Sequence, residues 1–515
     1  MCCICYNDAG DEMKKIRFIV SSDIHGVIYD HRYGDNSKHP MGLARLSSYL
    51  KKARESDDVL YIDNGDALQG TPLLTYINKE NKKPHALSEV FARCKINYYN
   101  LGNHDFNYGK DVLFNFMQSM HAPCITTNVL YQNKPIGKSV IQTISNITFG
   151  IIGVVTDYIP HWEQPSHIEG FTFLDVVDTV KKEIEHLKNQ VDTIIVVYHG
   201  GFERDLLTDK PTERLTGENV GSQLAKLDDI EVLFTGHQHR SINTTTNNTL
   251  VLQCANNATQ VMQVTIDPQT KQKQGELISL EHVTMDEKVV QKLATLEEKT
   301  QRWLDQPIGY VNQSLRIDDQ KQARLHKHPL VSFINQVQLD VSNAQLSVTS
   351  LFNDAIGLDE KISMRDLVST YMYPNTLVVK ELSGKQVKEM LEHSAQYFIL
   401  NDEGDIDINP TYVTPKPQHF NYDMMDGVEY TIKVSNPVGE KIVSLTYQGT
   451  PVQDDEPFLV AMNNYRAVGG GDYGMVAQAP TVIDTGKDMV DILMEYITKH
   501  SPIQVKHTNN IKVLR

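Results

Sequence analysis

The length and charge of this chain narrow the classes of protein to which it can belong. Its 515 residues exceed what one ordinary hydrophobic core organises, so the length predicts two domains. A hydrophobic share of 40% suits packed globular domains, and no stretch reaches the apolar length of a membrane-spanning helix. The formal net charge of -16 argues against nucleic-acid polymers or an anionic membrane as partners, but metal ions would still let the chain bind small anions.

From residue 14 to about 283, predicted strands and helices alternate. Five apolar runs bounded by Gly, Asn and Asp are typical of buried strands: 16–22 (IRFIVSS), 58–63 (DVLYID), 96–101 (INYYNL), 193–198 (TIIVVY) and 231–235 (EVLFT). A further strand is predicted over 147–155, and helices are predicted from Leu43 and over 176–187. Strands separated by crossovers of this length indicate an α/β domain.

The rest of the chain predicts a linker helix and a second domain. Residues 285–304 are charged, free of Gly and Pro, and apolar on one stripe, which is typical of an amphipathic helix. The alternative is one more surface helix of the first domain. Later segments predict strands over 430–434, 442–447 and 458–462 and helices near 387–391 and 490–497. We expect domains over 13–283 and 325–515, joined by the linker helix and connection of 284–324.

The six cysteines show no pairing framework. Three crowd the first five positions and three stand singly near predicted core strands: Cys2, Cys3, Cys5, Cys94, Cys124 and Cys254. This usage predicts a reducing compartment. The opening residues lack the apolar segment of a secretory signal, and Met13 precedes the first strand as a natural start would. We therefore expect a cytoplasmic protein.

A polar cluster follows each of the five buried strands. The clusters are Asp23-Ile24-His25, Gly65-Asp66, Gly102-Asn103-His104-Asp105, His199-Gly200-Gly201 and Gly236-His237-Gln238-His239. Any one of them is explained as a turn or a helix cap. Five in order, each at the carboxyl end of a strand, indicate one shared rim where ligands collect. Carboxylates, imidazoles and an amide on one rim can hold two divalent metals, and they suit Zn, Mn, Fe or Co better than Ca or Mg.

The order of these motifs resembles that of the calcineurin-like metallophosphoesterases. More closely, it is similar to the 5'-nucleotidase and 2',3'-cyclic-nucleotide phosphodiesterase/3'-nucleotidase family. Segments of the C-terminal half resemble that family's second domain: 371–377 (YMYPNTL), 382–384 (LSG), 421–423 (NYD), 426–428 (DGV) and 463–467 (NNYRA). The resemblance covers nearly the whole chain after Met13. It implies an α/β fold, a metallophosphoesterase β-sandwich flanked by helices and followed by a second, α+β domain.

The resemblance also implies roles for the residues of the rim. Asp23, His25 and His239 would bind one metal, and Asn103, His199 and His237 the other, with Asp66 bridging both. His104 would stabilise the phosphate or act as an acid. In the family an Asp three positions on holds this histidine, but here Asn107 stands there. An amide carries no charge and is able to fix the other tautomer, so we expect Asn107→Asp to hold or raise turnover.

Recognition of the base is assigned by resemblance to the second domain. Phe420 and Tyr465 would sandwich a nucleobase, whose stacking is worth ~1–3 kcal/mol on each aromatic and tolerates any base. Asp472, which follows three glycines, is a candidate for a ribose or base contact. Asn353 lies where a family motif ending in arginine would fall, but Gly357 stands at the arginine position. Taken alone, each aromatic is more often a core residue than a ligand contact.

Together these observations predict a dimetal hydrolase of nucleotide phosphoesters that acts on a small-molecule substrate. The missing arginine favours 2',3'-cyclic or 3'-nucleotides, and a 5'-nucleotidase is the near alternative. An alternative of another class is a nucleotide-binding protein with weakened catalysis, which the departures at Asn107 and Gly357 suggest. The oligomeric state stays open.

Overall fold

The computed structural model describes residues 14–212, 215–414 and 416–515. Cys2, Cys3, Cys5 and Met13 lie outside the described residues, so the predictions made for them are not addressed by the structure. The other three cysteines are buried free thiols. Within the described ranges, no helix is both long and apolar enough to cross a bilayer.

Two sheets packed face to face form the first domain. Its strands are β1 (Ile16–Ser21), β2 (Asp58–Asp63), β3 (Tyr98–Tyr99), β4 (Val129–Tyr131), β5 (Lys134–Pro135), β6 (Val140–Ile144), β7 (Ile147–Val155), β8 (Phe171–Phe173), β9 (Thr193–His199), β10 (Val232–Thr235), β11 (Ile242–Thr246), β12 (Thr249–Gln253), β13 (Gln260–Ile266) and β14 (Lys273–Ser279). One sheet has the order β14-β13-β1-β2-β3 and the other β11-β12-β10-β9-β7-β6, while β5-β4-β8 form a small third sheet. The predicted sandwich is confirmed.

The strands that carry the polar clusters run in parallel. In the first sheet β1, β2 and β3 pair in parallel, and in the second β9 pairs in parallel with β7 and β10. Apolar side chains fill the space between the sheets, with Phe18 and Phe149 in edge-to-face contact at 4.9 Å. Because parallel strands end at the same edge, the motifs that follow them are brought together there.

Helices cover the outer faces of the sandwich. They are α1 (Leu43–Ser56), α2 (Pro72–Glu80), α3 (Ala86–Arg93), α4 (Gly109–Ser119), α5 (Val176–Leu187) and α6 (Gly221–Leu224). The predicted linker helix is α7 (Glu287–Leu304), and the Asp286 side chain caps it by accepting from the Lys288 amide. Helix α7 buries Val289, Leu293 and Leu304 and packs against α1, α2 and α3. The apolar stripe seen in the sequence is therefore the face that docks on the first domain.

In the described part of the second domain, the larger sheets have five and four strands, and pairs of short strands lie beside them. Its strands are β15 (Pro307–Tyr310), β16 (Leu315–Arg316), β17 (Leu346–Ser350), β18 (Gly357–Leu358), β19 (Lys361–Ser363), β20 (Thr376–Ser383), β21 (Phe398–Leu400), β22 (Ile406–Ile408), β23 (Asp423–Asp426), β24 (Glu429–Lys433), β25 (Ile442–Tyr447), β26 (Thr450–Pro451), β27 (Pro457–Asn463), β28 (Thr481–Asp488) and β29 (Ile511–Leu514). The orders are β23-β17-β27-β20-β28 and β26-β25-β24-β29.

The α-helices among the described residues of this half follow. They are α8 (Gln320–Leu325), α9 (Pro329–Ser342), α10 (Met364–Thr370), α11 (Gly384–Ser394), α12 (Asn464–Ala467), α13 (Gly474–Ala477) and α14 (Met489–His500). Strands β15 and β16 lie inside the predicted connection and pair with β19 and β18. One apolar core runs from α1–α3 through α7 into the second domain, so the two halves share buried surface.

Candidate metal centre and active site

The backbone of the predicted ligand loops is strained. Five residues at the shared edge of the sandwich have a left-handed backbone, with φ between +52° and +68°: Asp23, His25, Asp66, His237 and His239. Such a conformation costs about 1–3 kcal/mol for a residue with a side chain. Gly102 allows the loops to meet, because a Cβ there would lie 2.2 Å from an oxygen of Asp66. Strain concentrated at one edge indicates a functional site.

One group of potential ligands comprises Asp23, His25 and His239, whose ligand atoms all lie within 4.8 Å of one another. The Nε2 atoms of His25 and His239 are 3.1 Å apart, and the His239 atom lies 3.3 Å from Asp23 Oδ1. His25 Nδ1 donates to the carbonyl of Gln69 at 3.0 Å, which leaves the lone pair on Nε2. Burial, together with the adjacent His239, lowers the pKa of His25 to about 3, so this imidazole is neutral.

The other group comprises Asp66, His199 and His237, with Asn103 beside them. His237 Nδ1 is 2.9 Å from Asn103 Oδ1, and His237 Nε2 donates to Glu218. His199 Nδ1 donates to the Asn64 carbonyl at 2.6 Å. The other nitrogen of His199 is buried without a hydrogen bond, 3.2 Å from Asp66 Oδ2. A buried nitrogen left without a hydrogen bond beside a carboxylate is the arrangement that a bound cation would satisfy.

The electrostatics of the cluster call for positive charge. Burial alone would lower the pKa of His199, yet the carboxylates of Asp66 and Asp23 raise it to about 10. Burial alone would raise the pKa of Asp23, but the charges of His199 and His239 hold it well below its usual range. Against the effect of burial, the charge of His199 also holds the pKa of Asp66 well below its usual range, so both buried carboxylates favour positive charge beside them.

The residues fit a pair of divalent metals. Three of the four imidazoles turn one nitrogen to an anchoring acceptor and the other into the cluster, which is the usual arrangement of metal-binding histidine. All seven predicted ligands lie at this edge: Asp23, His25, Asp66, Asn103, His199, His237 and His239. The donor set of nitrogen, carboxylate and amide suits Zn, Mn, Fe or Co.

The predicted departure at Asn107 has a structural explanation. His104 Nδ1 is 2.8 Å from Asn107 Oδ1, and the Asn107 amide donates to the buried carboxylate of Glu163 at 2.6 Å. Because Glu163 can only accept, the Asn107 oxygen must face His104, and His104 must carry its proton on Nδ1. This is the tautomer that an aspartate would fix, so the expectation of the other tautomer was wrong. The negative charge stands one residue further away.

The aromatic residues predicted to sandwich a base, Phe420 and Tyr465, are not parallel in this structure. The rings of Phe420 and Tyr465 are 6.2 Å apart but inclined at 73°, so they meet edge to face and form no parallel slot. The side-chain nitrogen of Asn353 donates to the Pro417 carbonyl, and its oxygen accepts from the His419 amide. Asn353 thus braces the loop that leads to Phe420.

The backbone is left-handed at two further second-domain positions, Gly357 and Asp472. Gly357 has φ +81°, and a Cβ there would lie 2.0 Å from the Leu315 carbonyl, so an arginine side chain cannot be carried at this position. Asp472 is exposed and also has a left-handed backbone, with φ +68°. The glycine is required by the local strand pairing of β16 with β18, independently of any ligand.

Several site residues escaped the sequence analysis. Asp105 accepts from four backbone amides, those of Gly102, Asp66, Ala67 and Leu68, and so ties two ligand loops together. Glu218 and Glu163 come from irregular loops, and no motif surrounds them. The only available signal was the position of Asp105 inside a motif that had already been singled out.

The fold and ligand set define a phosphoric ester hydrolase. The calcineurin-like phosphoesterase family matches residues 16–241, and the C-terminal domain of 5'-nucleotidase matches residues 307–478. The chain therefore belongs to the 5'-nucleotidase family.

Three comparisons support this membership. A 2',3'-cyclic-nucleotide 2'-phosphodiesterase/3'-nucleotidase of Salmonella typhimurium is 28% identical over 88% of this chain and 81% of its own length. The Haemophilus influenzae protein of the same name is 26% identical over 90% of this chain and 82% of its own length. A solved structure from Staphylococcus aureus, provisionally assigned as a 5'-nucleotidase, is 33% identical, with a TM-score of 0.92 over 98% of this chain and 100% of that one.

Proposed function

We propose that this protein uses two divalent metal ions to hydrolyse nucleotide phosphoesters, with 2',3'-cyclic or 3'-nucleotides as favoured substrates. The observation that carries the proposal is the pair of ligand groups around Asp23 and Asp66, whose atoms converge at the carboxyl ends of parallel strands. The aromatic pair of Phe420 and Tyr465 in the second domain supports a substrate with a flat base.

The metals, Asp66 and His104 would have different roles in such a reaction. When bound, two metals would lower the pKa of a shared water and neutralise charge at phosphorus. Asp66 acts on both groups, since its Oδ2 lies 3.2 Å from His199 of its own group and its charge acts on His25 and His239 of the other. The His104 ring lies 5.6 Å from the His25 ring, which puts an imidazole beside the position expected for the reacting phosphate.

Two observations bear on the choice of substrate. The Salmonella and Haemophilus relatives are named for cyclic and 3'-nucleotide activity, and the arginine position of the 5'-nucleotidase motif is a glycine here. The Staphylococcus structure favours 5'-nucleotides as the second candidate. A nucleotide-binding protein with weakened catalysis is the less favoured alternative. Asn107 donates to the Glu163 carboxylate, and the backbone around Gly357 requires a glycine whatever the ligand.

A substrate panel tests the proposal. The protein loaded in turn with Zn, Mn, Fe or Co is assayed on 2',3'-cyclic, 3'- and 5'-nucleotides and on an aryl phosphate. We expect nucleotide hydrolysis, with kcat/KM highest for the cyclic or 3' class. A preference for 5'-nucleotides would refute the proposed substrate preference but not the assignment as a phosphoester hydrolase. If the protein hydrolyses the aryl phosphate but none of the nucleotides, nucleotides are refuted as its substrates.

Phe420→Ala and Tyr465→Ala are each expected to raise KM for nucleotides by an amount that corresponds to ~1–3 kcal/mol of lost stacking. An aryl phosphate carries no nucleobase, so its KM should change little. Tyr447→Ala, which removes a partly buried aromatic from β25, is the matched control. It should leave KM for nucleotides and KM for aryl phosphate unchanged. An equal rise in KM for aryl phosphate would instead indicate a general packing defect.

A further inference from the structure

One lysine of the second domain reaches the loop of metal ligands. The Nζ atom of Lys416 donates to the backbone carbonyl of His237 at 3.0 Å. His237 is itself a predicted ligand, with its ring beside Asn103. Lys416 is half-buried at this point, so its charge is held against the rim of the metal cluster instead of extending into solvent.

The segment that carries Lys416 is anchored at several points. Asn353 holds the Pro417 carbonyl and the His419 amide, and Tyr397 hydrogen-bonds the His419 ring at 2.7 Å. Four residues after Lys416 comes Phe420, whose ring meets that of Tyr465. Four residues span at most ~14 Å, which is the scale of one nucleotide. One braced segment thus puts a cation at the metal end and an aromatic at the base end.

We propose that Lys416 is a substrate-binding residue that contacts the phosphate group held at the metal cluster. The inference rests on the proposed function and names a residue through which the second domain would sense the phosphate. The side chain has three N–H donors, and within the described residues one donor has a recorded acceptor, the His237 carbonyl. The other two are available to a phosphate oxygen.

The chemistry of lysine favours this role over a simple latch between domains. A neutral donor would suffice to hold a carbonyl, whereas an ammonium brings a compact positive charge that lysine commonly directs to phosphate. The chain has a net charge of -16, so an incoming anion needs local positive charge near the metals. A lysine four residues before Phe420 places phosphate recognition and base recognition on the same braced segment.

Lys416→Gln tests the proposal, because glutamine keeps a donor and removes the charge. We expect the inhibition constant of inorganic phosphate, its dissociation constant by titration calorimetry on metal-loaded protein, and KM for aryl phosphate to rise about tenfold. KM for nucleotides should rise by the same factor. Lys416→Arg keeps the charge and should stay within about threefold of the parent protein.

Lys385→Gln is the matched control. It removes an exposed lysine of α11 that lies 4.0 Å from Glu389, and phosphate binding should not change. If Lys416→Gln binds phosphate and aryl phosphate as the parent does, Lys416 is only a latch and the proposal is overturned, even if nucleotide KM rises. If the parent protein hydrolyses aryl phosphate but no nucleotide, the proposed function fails while the phosphate arms of this test still decide the role of Lys416.

Discussion

Asp66→Asn is expected to lower kcat by at least about 1,000-fold, with a loss of bound metal from both groups of ligands. Asp66 is buried, and its oxygens approach both His199 and the backbone of the His104 loop. Removing its charge weakens a contact shared by two cations, and ~4 kcal/mol of lost transition-state stabilisation corresponds to this factor. Metal content by mass spectrometry and kcat at saturating substrate measure the two effects.

Asparagine tolerates a left-handed backbone, so this substitution separates charge from fold. Asp63→Asn is the matched control in the same strand-and-loop unit. Asp63 is buried at the end of β2 but belongs to neither ligand group, and burial raises the pKa of its carboxyl well above the usual range. We expect Asp63→Asn to keep its metal and its turnover. Full activity of Asp66→Asn in protein shown to be free of metal would exclude the dimetal mechanism.

The metal cluster was the most predictable part of the molecule because each of its motifs is local. Every predicted ligand follows its own apolar strand directly, so finding the strand also locates the ligand. Strand β7 and helix α5 have the predicted bounds, since their apolar patterns are unambiguous. The predicted run 96–101 is shortened to the strand Tyr98–Tyr99, and the side chains of Asn97 and Asn100 on either side of it bond the Tyr61 amide and the carbonyls of Val154 and Val197.

The residues around the cluster could not be predicted from the sequence. Glu163, Glu218 and Lys416 stand alone in irregular segments, and each reaches the site only because tertiary folding brings a distant loop there. A single acid or lysine in a polar loop has no periodicity and is ordinarily a solvated surface residue. The angle between Phe420 and Tyr465 was equally out of reach, because residue type specifies stacking chemistry but not ring orientation.

The other large effect concerns His104. His104→Ala is expected to lower kcat by about 100- to 1,000-fold at full metal occupancy, since it removes charge stabilisation made in the transition state. This residue lies beside His25 and stacks against Tyr373 of the second domain at 5.9 Å. Turnover of His104→Ala at the parent rate, with metal present, would contradict its catalytic role.

The link from His104 through Asn107 to Glu163 changes what the neighbouring substitutions should do. Asn107→Asp alone sets a second carboxylate against Glu163, so we now expect kcat to fall about tenfold instead of holding or rising. Glu163→Gln alone turns an amide donor toward the Asn107 donor. The Asn107 amide then flips, and the proton of His104 moves to Nε2.

The double variant Asn107→Asp/Glu163→Gln should recover kcat to within about threefold of the parent. The new aspartate accepts from His104 Nδ1 and from the glutamine amide, while the glutamine oxygen keeps the contacts that Glu163 makes with the Gln164 amide and the His167 ring. Nitrogen NMR of the His104 ring reports the tautomer in each variant and should show Nδ1–H in the parent and the double variant only. Additive losses in kcat would mean that Glu163 does not act through Asn107, and His104 would then be oriented by its stacking on Tyr373 alone.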